Sequence, residues 1–435
     1  MTTGGKIFRW AVRLGVLALA LCLVLGGPIP SVLARGLPGL SPLVALTSSI
    51  AQRRWVVGLT WLAPPLAVLA LGFWKGRFFC RWVCPAGTVY SIPARWSLRK
   101  PLLRVRLNAF VFWTMVFGSL AGVPLLASLD PLSTFNRLTP WLTGTATVVS
   151  LIPGLLLPLF LLLGVLQPKI WCTHLCPLGY LFELCHSTRR QGLKEPFRRA
   201  RRQILAGLAV GLPTAALTRT FLLSRSGRQG LPILPPGAKD PEAFAAACTR
   251  CYACLNVCPM KIIRVASPAD RAVGQWFQPE IAFFDSEDNP DLGYCEEPCN
   301  NCSRVCAAGA LTPLTFQEKR RRQIGIAEVI RSACLAWEKG EHCMICQEHC
   351  SYFAVEMKPC EKGVPAPVVI EDVCRGCGTC QSKCPGVAGR KGIVVRGVKE
   401  QKAARDDPGG KGAATGAATR PAASGPATQP AKHLP

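Results

Sequence analysis

The sequence predicts a polytopic α-helical membrane domain followed by a small, cysteine-dense α+β domain. Three observations predict it. Long apolar stretches recur through the first half of the 435 residues, basic residues dominate that same half, and 16 of the 23 cysteines fall in four tight groups in the second. Residues 1–230 carry 26 Lys and Arg against 3 acids, residues 231–400 carry 20 against 20, and the tail carries 5 against 2. The net charge of +26 therefore belongs almost wholly to the first half. It lies in loops between apolar runs, the positive-inside pattern of a membrane protein, which sets nucleic-acid binding aside.

Four apolar segments, 10–27, 55–74, 108–128 and 142–167, are long enough to cross a hydrocarbon core of roughly 30 Å as helices, and a fifth runs from Ile204 to Leu223. Trp55 and Trp74 bracket the second span, and Trp141 and Trp171 the fourth, at headgroup level. Prolines break the apolar piece 28–50, which reads as a re-entrant or surface segment. Lys6, Arg9 and Arg13, eight basic residues in 75–106 and eight in 168–203 share one side, against Arg35, Arg53, Arg54 and Arg137 on the other. That asymmetry puts the N-terminus in the cytoplasm of a bacterial cell, with the domain after the fifth helix on the periplasmic side of the inner membrane. Arg201 and Arg202, just before the fifth apolar stretch, resemble a twin-arginine export signal, a route that suits cargo assembled before export. The expected divisions are 1–203, membrane domain; 204–236, fifth helix, export signal and linker; 237–400, cysteine domain; and 401–435, a tail rich in Ala, Gly, Pro, Thr and Lys whose composition cannot build a core.

The cysteines carry the chemistry. Cys248, Cys251, Cys254 and Cys258, with Pro259 next, have the C-x2-C-x2-C-x3-C-P spacing of a ferredoxin. In that signature three close thiolates hold one [4Fe-4S] cluster and the fourth reaches a partner cluster. Cys374, Cys377, Cys380 and Cys384 before Pro385 repeat it. Two variant groups lie between, Cys295, Cys299, Cys302 and Cys306, then Cys334, Cys343, Cys346 and Cys350, where Ala307 and Ser351 replace the proline. Four groups of four predict four [4Fe-4S] clusters in an α+β polyferredoxin domain, with Cys360 left over. Disulfides are disfavoured because gaps of two and three residues gather sulfurs around one small cage instead of stapling loops. Zinc suits half of such a motif but not four consecutive ligands followed by proline.

A further pair of motifs sits at the ends of the second and fourth apolar segments: Cys80 and Cys84 before Pro85, and Cys172 and Cys176 before Pro177. Each C-x3-C spacing puts two sulfurs on one helical face. If the segments end at one surface, the repeat brings four thiolates together, which suits either an additional cluster or redox-active dithiols. Cys22 and Cys185 read as ordinary packing cysteines.

The first half, with its two C-x3-C-P motifs, resembles the NapH, NosR and MauN family of polytopic membrane proteins. From Arg201-Arg202-Gln203-Ile204-Leu205 through Pro235-Pro236-Gly237-Ala238, the first cysteine group, Ala308-Gly309-Ala310-Leu311 and the last group, the chain resembles the NapG and MauM ferredoxin-type proteins. The whole is similar to a fusion of the two subunits of a NapGH-type quinol dehydrogenase over roughly residues 1–400. One departure stands out: the stretch from Cys185 to Arg202 lacks the extra ferredoxin motifs usual in NapH-like proteins. The resemblance implies nested pairing, first group with fourth and second with third, so that Cys258 joins Cys374, Cys377 and Cys380, and Cys384 joins Cys248, Cys251 and Cys254.

No C-x-x-C-H is present, so no c-type haem is expected, and none of His174, His186, His342, His349 and His433 lies inside an apolar segment to ligate b-haem. No glycine-rich dinucleotide fingerprint follows a predicted strand. The quinone pool is then the expected partner on the membrane side and a periplasmic reductase or cytochrome the acceptor, with no catalytic residue nameable. A different class of function, maturation or redox sensing in support of a partner metalloenzyme, uses the same cysteines without steady electron flux.

Overall fold

The computed structural model describes residues 3–24, 36–52, 59–92, 106–122, 129–137, 154–167, 169–192, 194–217, 230–269, 271, 275–283 and 293–405. Trp55, Trp141, residues 142–153 of the expected fourth span, Arg219 and most of the tail lie outside them.

The first half is helical, but it is not the polytopic membrane domain that composition predicts. Among the described residues no helix is long and apolar enough to cross a membrane. A span needs about 20 consecutive apolar residues, and each described helix is short, interrupted or charged. Helix α1 (Thr3–Val24) has 22 residues but includes Lys6, Arg9 and Arg13. Helix α2 (Pro42–Gln52) has 11, and α3 (Leu59–Lys75) has 17, roughly 26 Å of axis, with Pro64 and Pro65 inside. The short α4 (Phe78–Trp82) and α5 (Pro85–Val89) carry the first C-x3-C-P motif. Helix α6 (Asn108–Leu120) has 13 residues, α7 (Pro131–Asn136) six and α8 (Leu156–Leu166) 11. Helix α9 (Pro177–Gln191) follows the second motif, and α10 (Lys194–Leu217) has 24 residues, of which the first turns hold Arg198, Arg201 and Arg202 and the last Pro213.

These helices pack around a core of Leu43, Phe79, Phe112, Met115, Leu132, Trp171, Leu178 and Phe182, and that core includes Cys84 and Cys176. Helix α10 lies close along α6 because its facing positions are small. A Cβ added at Gly207 would stand 2.8 Å from Trp113 Cβ, and one at Gly211 2.8 Å from the Thr114 carbonyl, so only glycine lets the backbones meet. Much apolar surface is left uncovered: Ile7 is 71% exposed, Trp74 67% and Leu162 71%.

The second half begins with α11 (Pro241–Ala247), N-capped by Asp240, whose side chain accepts from Ala243 N at 2.7 Å. Its strands form three two-stranded antiparallel sheets among the described residues. Strand β1 (Ile263–Val265) pairs with β2 (Pro279–Ile281). Strand β3 (Gly325–Val329) pairs with β6 (Ile393–Gly397), and β4 (Val355–Pro359) with β5 (Pro365–Val369) between them. The last four strands thus fold inward as a two-fold repeat, each half holding one cysteine loop between its strands. The core mixes aliphatic side chains such as Ile262, Ile281, Leu311 and Val395 with Cys248, Cys254, Cys302, Cys346, Cys374 and Cys380. A core with this many thiols is not held by apolar burial alone.

Candidate iron-sulfur centres

Each cysteine group supplies three sulfurs to its own site and sends its fourth elsewhere, but not in the nested order the resemblance implies. Cys258 lines a cavity with Cys295, Cys299 and Cys302. Cys350 lines another with Cys374, Cys377 and Cys380. Cys384 lines a third with Cys334, Cys343 and Cys346. Cys306 is in electrostatic reach of Cys248, Cys251 and Cys254, completing the fourth quartet. First pairs with second and third with fourth, the connections after Cys258 and Cys350 running through the β1–β2 and β4–β5 hairpins before the neighbouring group begins. The β3–β6 pairing then folds Cys384 back beside Cys334. Cys360 joins none of them; its Sγ points to the Ala336 carbonyl at 3.9 Å in a separate small cluster with Val364 and Ala366.

Backbone amides support three of the four ferredoxin quartets. Amides donate to sulfur from Arg250 to Cys248 (3.4 Å), Leu311 to Cys306 (3.4 Å), Ala354 to Cys350 (3.3 Å), Ala327 to Cys374 (3.4 Å) and Gly392 to Cys384 (3.2 Å). Burial pushes the Cys248 thiol up to about 12 and those of Cys306 and Cys374 up to about 11. Bare thiolates are therefore disfavoured at these positions, and a cationic iron core offsets that desolvation.

The C-x3-C-P motifs do meet. Cys80 is in electrostatic reach of Cys84, Cys172 and Cys176, and Cys176 of Cys84 and Cys172. The two halves repeat each other in detail: Cys84 caps α5 and accepts from Gly87 N at 3.3 Å, and Cys176 caps α9 and accepts from Gly179 N at 3.4 Å, each with proline at the first helical turn. The working motif is thus C-x3-C-P-x-G, a glycine the spacing of cysteines alone does not reveal. Burial pushes Cys84 up to about 12 and Cys172 up to about 11, the latter opposed by Arg77, Lys169 and Arg13. Arg13 is buried and donates to Gly87 O and Ser91 Oγ, both at 2.8 Å; Arg77 donates to Cys172 O at 3.2 Å. Tyr90 Oη and Trp171 Nε1 are buried without a hydrogen-bond partner among the described residues, with ring centroids 6.2 Å apart. Cations and orphaned donors beside four thiols suit an anionic, sulfide-bearing group. His174, inside the second motif, is occupied by Gln167 (3.2 Å) and Thr173 (2.8 Å).

Among the described residues, no group of three or more His, Cys, Asp or Glu is placed to hold a single metal ion. Zinc needs sulfurs about 2.3 Å from the metal, hence roughly 4 Å from one another. Three of the quartets line shared cavities.

The methylamine utilization ferredoxin-type protein MauM of Methylobacillus flagellatus is 32% identical over 200 residues, covering 44% of this chain and 81% of that relative. The chain belongs to the MauM family of ferredoxin-type proteins. Ferredoxin-type protein NapF of Escherichia coli is 29% identical over 170 residues (39% of this chain, 90% of NapF), and NapG of Haemophilus influenzae 28% over 207 (45% and 67%). Separately, the family described as "4Fe-4S binding domain" matches residues 57–104 and 148–194, which contain Cys80, Cys84, Cys172 and Cys176. No solved structure matches. The chain is an iron-sulfur electron-transfer protein. Residues that cysteine spacing did not single out are Arg13, Arg77, Asp130 and Arg137; the one available signal was that Asp130 is the sole acid in residues 1–182.

Proposed function

We propose that the protein is a membrane-bound quinol dehydrogenase that passes electrons from the quinone pool through five [4Fe-4S] clusters to a periplasmic reductase or cytochrome. The observation that carries the reading is the succession of sites. The C-x3-C-P quartet neighbours α7, whose far end is hydrogen-bonded to the Cys248 group's loop. Cys254 of that quartet is in electrostatic reach of Cys302 in the next. Cys295 N donates to Cys377 O at 2.8 Å, joining the second and third, and Cys380 of the third faces Cys346 of the last. Five cysteine quartets in file make a conduit with two ends.

When bound, each cluster supplies one-electron redox chemistry. The chain's residues bury the sulfurs, donate amides to them and exclude water, which sets potential and prevents loss of electrons to solvent. A quinol at the helical end releases two electrons and two protons, and the electrons leave one at a time at the other end to the acceptor. Membrane attachment needs no spanning helix in this reading: Ile7, Phe8 and Leu14 of α1 and Leu159 and Leu162 of α8 are exposed apolar side chains of the kind that insert at a bilayer surface. Arg201 and Arg202, in the early turns of α10, are in keeping with export of the cluster half to the periplasmic side.

The test is anaerobic. The purified protein, with iron and sulfide quantified, is oxidised and mixed with a reduced menaquinol or ubiquinol analogue while visible bleaching and paramagnetic resonance are followed. Rapid reduction of intact clusters is the expected result. Full cluster content without any reduction would remove quinol oxidation and favour a maturation role.

A further inference from the structure

One short helix joins the two halves, and it is tied at both ends. At the start of α7, Asp130 is fully buried; its Oδ1 accepts from Ser41 Oγ at 2.6 Å, and its Oδ2 accepts from Leu132 N, Ser133 N and Ser133 Oγ at 3.2, 2.9 and 3.2 Å. Leu132 packs in the same core as Cys84 and Cys176. At the other end Asn136 Nδ2 donates to Cys251 O at 2.7 Å, and Arg137 donates from Nε to Arg250 O at 2.9 Å and from Nη2 to Thr249 O at 3.2 Å. Between these anchors lie six residues, roughly 9 Å of helix axis.

Arg137 is the unusual member. It is 1% exposed, and its guanidinium lies 5.9 Å from the Tyr252 ring. Its hydrogen bonds go to carbonyls of the ligand loop, which Arg250 (φ 54°) and Tyr252 (φ 61°) turn toward it by adopting left-handed backbone. Burying a guanidinium is costly unless negative charge stands near. A cluster on four thiolates carries that charge, and carries more of it when reduced. A fixed cation against the loop of Cys248 and Cys251 therefore favours the reduced form of that centre over the oxidised one.

Resting on the conduit reading above, we propose that Arg137 is a positioning residue that makes the Cys248/Cys251/Cys254/Cys306 centre the electron-entry port of the ferredoxin half, by holding its potential above what its thiolates alone would set. An electron leaving the C-x3-C-P quartet then moves along α7 into the centre most ready to accept it. No bond is made or broken; one centre is oxidised as the other is reduced.

The experiment is a potentiometric titration of the full-length, cluster-loaded protein followed by paramagnetic resonance, in wild type, Arg137→Gln, Arg137→Lys and Cys306→Ser. Cys306→Ser identifies which signal belongs to this centre. In wild type it is expected to be the first of the four ferredoxin centres reduced. In Arg137→Gln its reduction equilibrium constant should fall about tenfold, close to 59 mV for one electron, with the other signals unmoved, while Arg137→Lys stays within about threefold of wild type. Unmoved potentials in a fully loaded Arg137→Gln protein would overturn the proposal. Should that variant fail to fold, the wild-type order decides: a centre reduced after its neighbours refutes the port. Absence of clusters from wild type would instead refute the conduit reading itself, a distinguishable failure.

Discussion

The amide of Cys295 donates a 2.8 Å hydrogen bond to the carbonyl of Cys377, so a ligand of the second quartet and a ligand of the third share one backbone link. That link fixes how two ferredoxin-like modules abut. It is reinforced by Lys319, whose Nζ donates to the carbonyls of Glu296 and Glu297 within the second group. The cluster sites nearest the junction are therefore rigidly spaced, and the outer two face the helical half and the far surface.

The observed pairing separates double variants that nested pairing would treat differently. Cys254→Ser with Cys306→Ser should cost one cluster, since both residues serve one site. Cys254→Ser with Cys384→Ser should cost two. Iron and sulfide analysis of the folded proteins decides it, and the reverse pattern would restore nested pairing.

The repeated C-x3-C-P-x-G motif predicts an asymmetry between its copies. A Cβ at Gly87 would stand 2.8 Å from the Cys80 carbonyl, while one at Gly179 would meet the Cys172 carbonyl at 3.4 Å, an ordinary contact. Gly87→Ala should therefore lower the iron held by the helical half, and Gly179→Ala should leave it unchanged. Equal effects from the two, read by iron content, would mean that local backbone does not shape this site.

Tyr90 Oη and Trp171 Nε1 lack hydrogen-bond partners among the described residues although both residues are buried. Donors aimed at cluster sulfur raise its potential. Tyr90→Phe should lower the midpoint of the helical-half centre with iron content unchanged; an unaltered midpoint would show that the hydroxyl does not reach the cluster.

Contact between α6 and α10 depends on glycine. Gly211→Ala forces a Cβ to 2.8 Å from the Thr114 carbonyl, and overpacking of this kind costs about 1–3 kcal/mol. Thermal unfolding followed by circular dichroism should show a lower midpoint than wild type. No change would indicate that the helices part without loss.

Removing iron should unfold the second half selectively. Among the described residues its strands form only two-stranded pairs, and many of its core positions are cysteine, so metal binding supplies much of its folding free energy. Chelation should render residues 237–400 protease-sensitive while helical dichroism from the first half persists. Resistance of the iron-free domain would show that its apolar core suffices.

How much of this was legible beforehand differs between the halves. A gap of two or three residues brings sulfurs together whatever surrounds them, so the cysteine groups are legible as ligand runs in the sequence. Hydropathy was a poorer guide. It located the apolar runs of the first half, but α3 stops after 17 residues and α6 after 13, because composition reports how apolar a segment is and not where its helix ends or what packs against it.

From sequence alone came the presence of iron-sulfur chemistry, the repeated C-x3-C-P pair and the charge asymmetry of the chain, all of them local properties of spacing and composition. Tertiary structure decided the rest. Which fourth cysteine completes which quartet depends on strand pairing between β3 and β6, residues some 70 positions apart, and that the four C-x3-C-P thiols share one site depends on the packing of α4, α5 and α9. The place of Arg137 against the loop of Cys251, 113 residues away from its partner Arg250, was likewise beyond reach, because a long-range contact leaves no periodicity in the residues that make it.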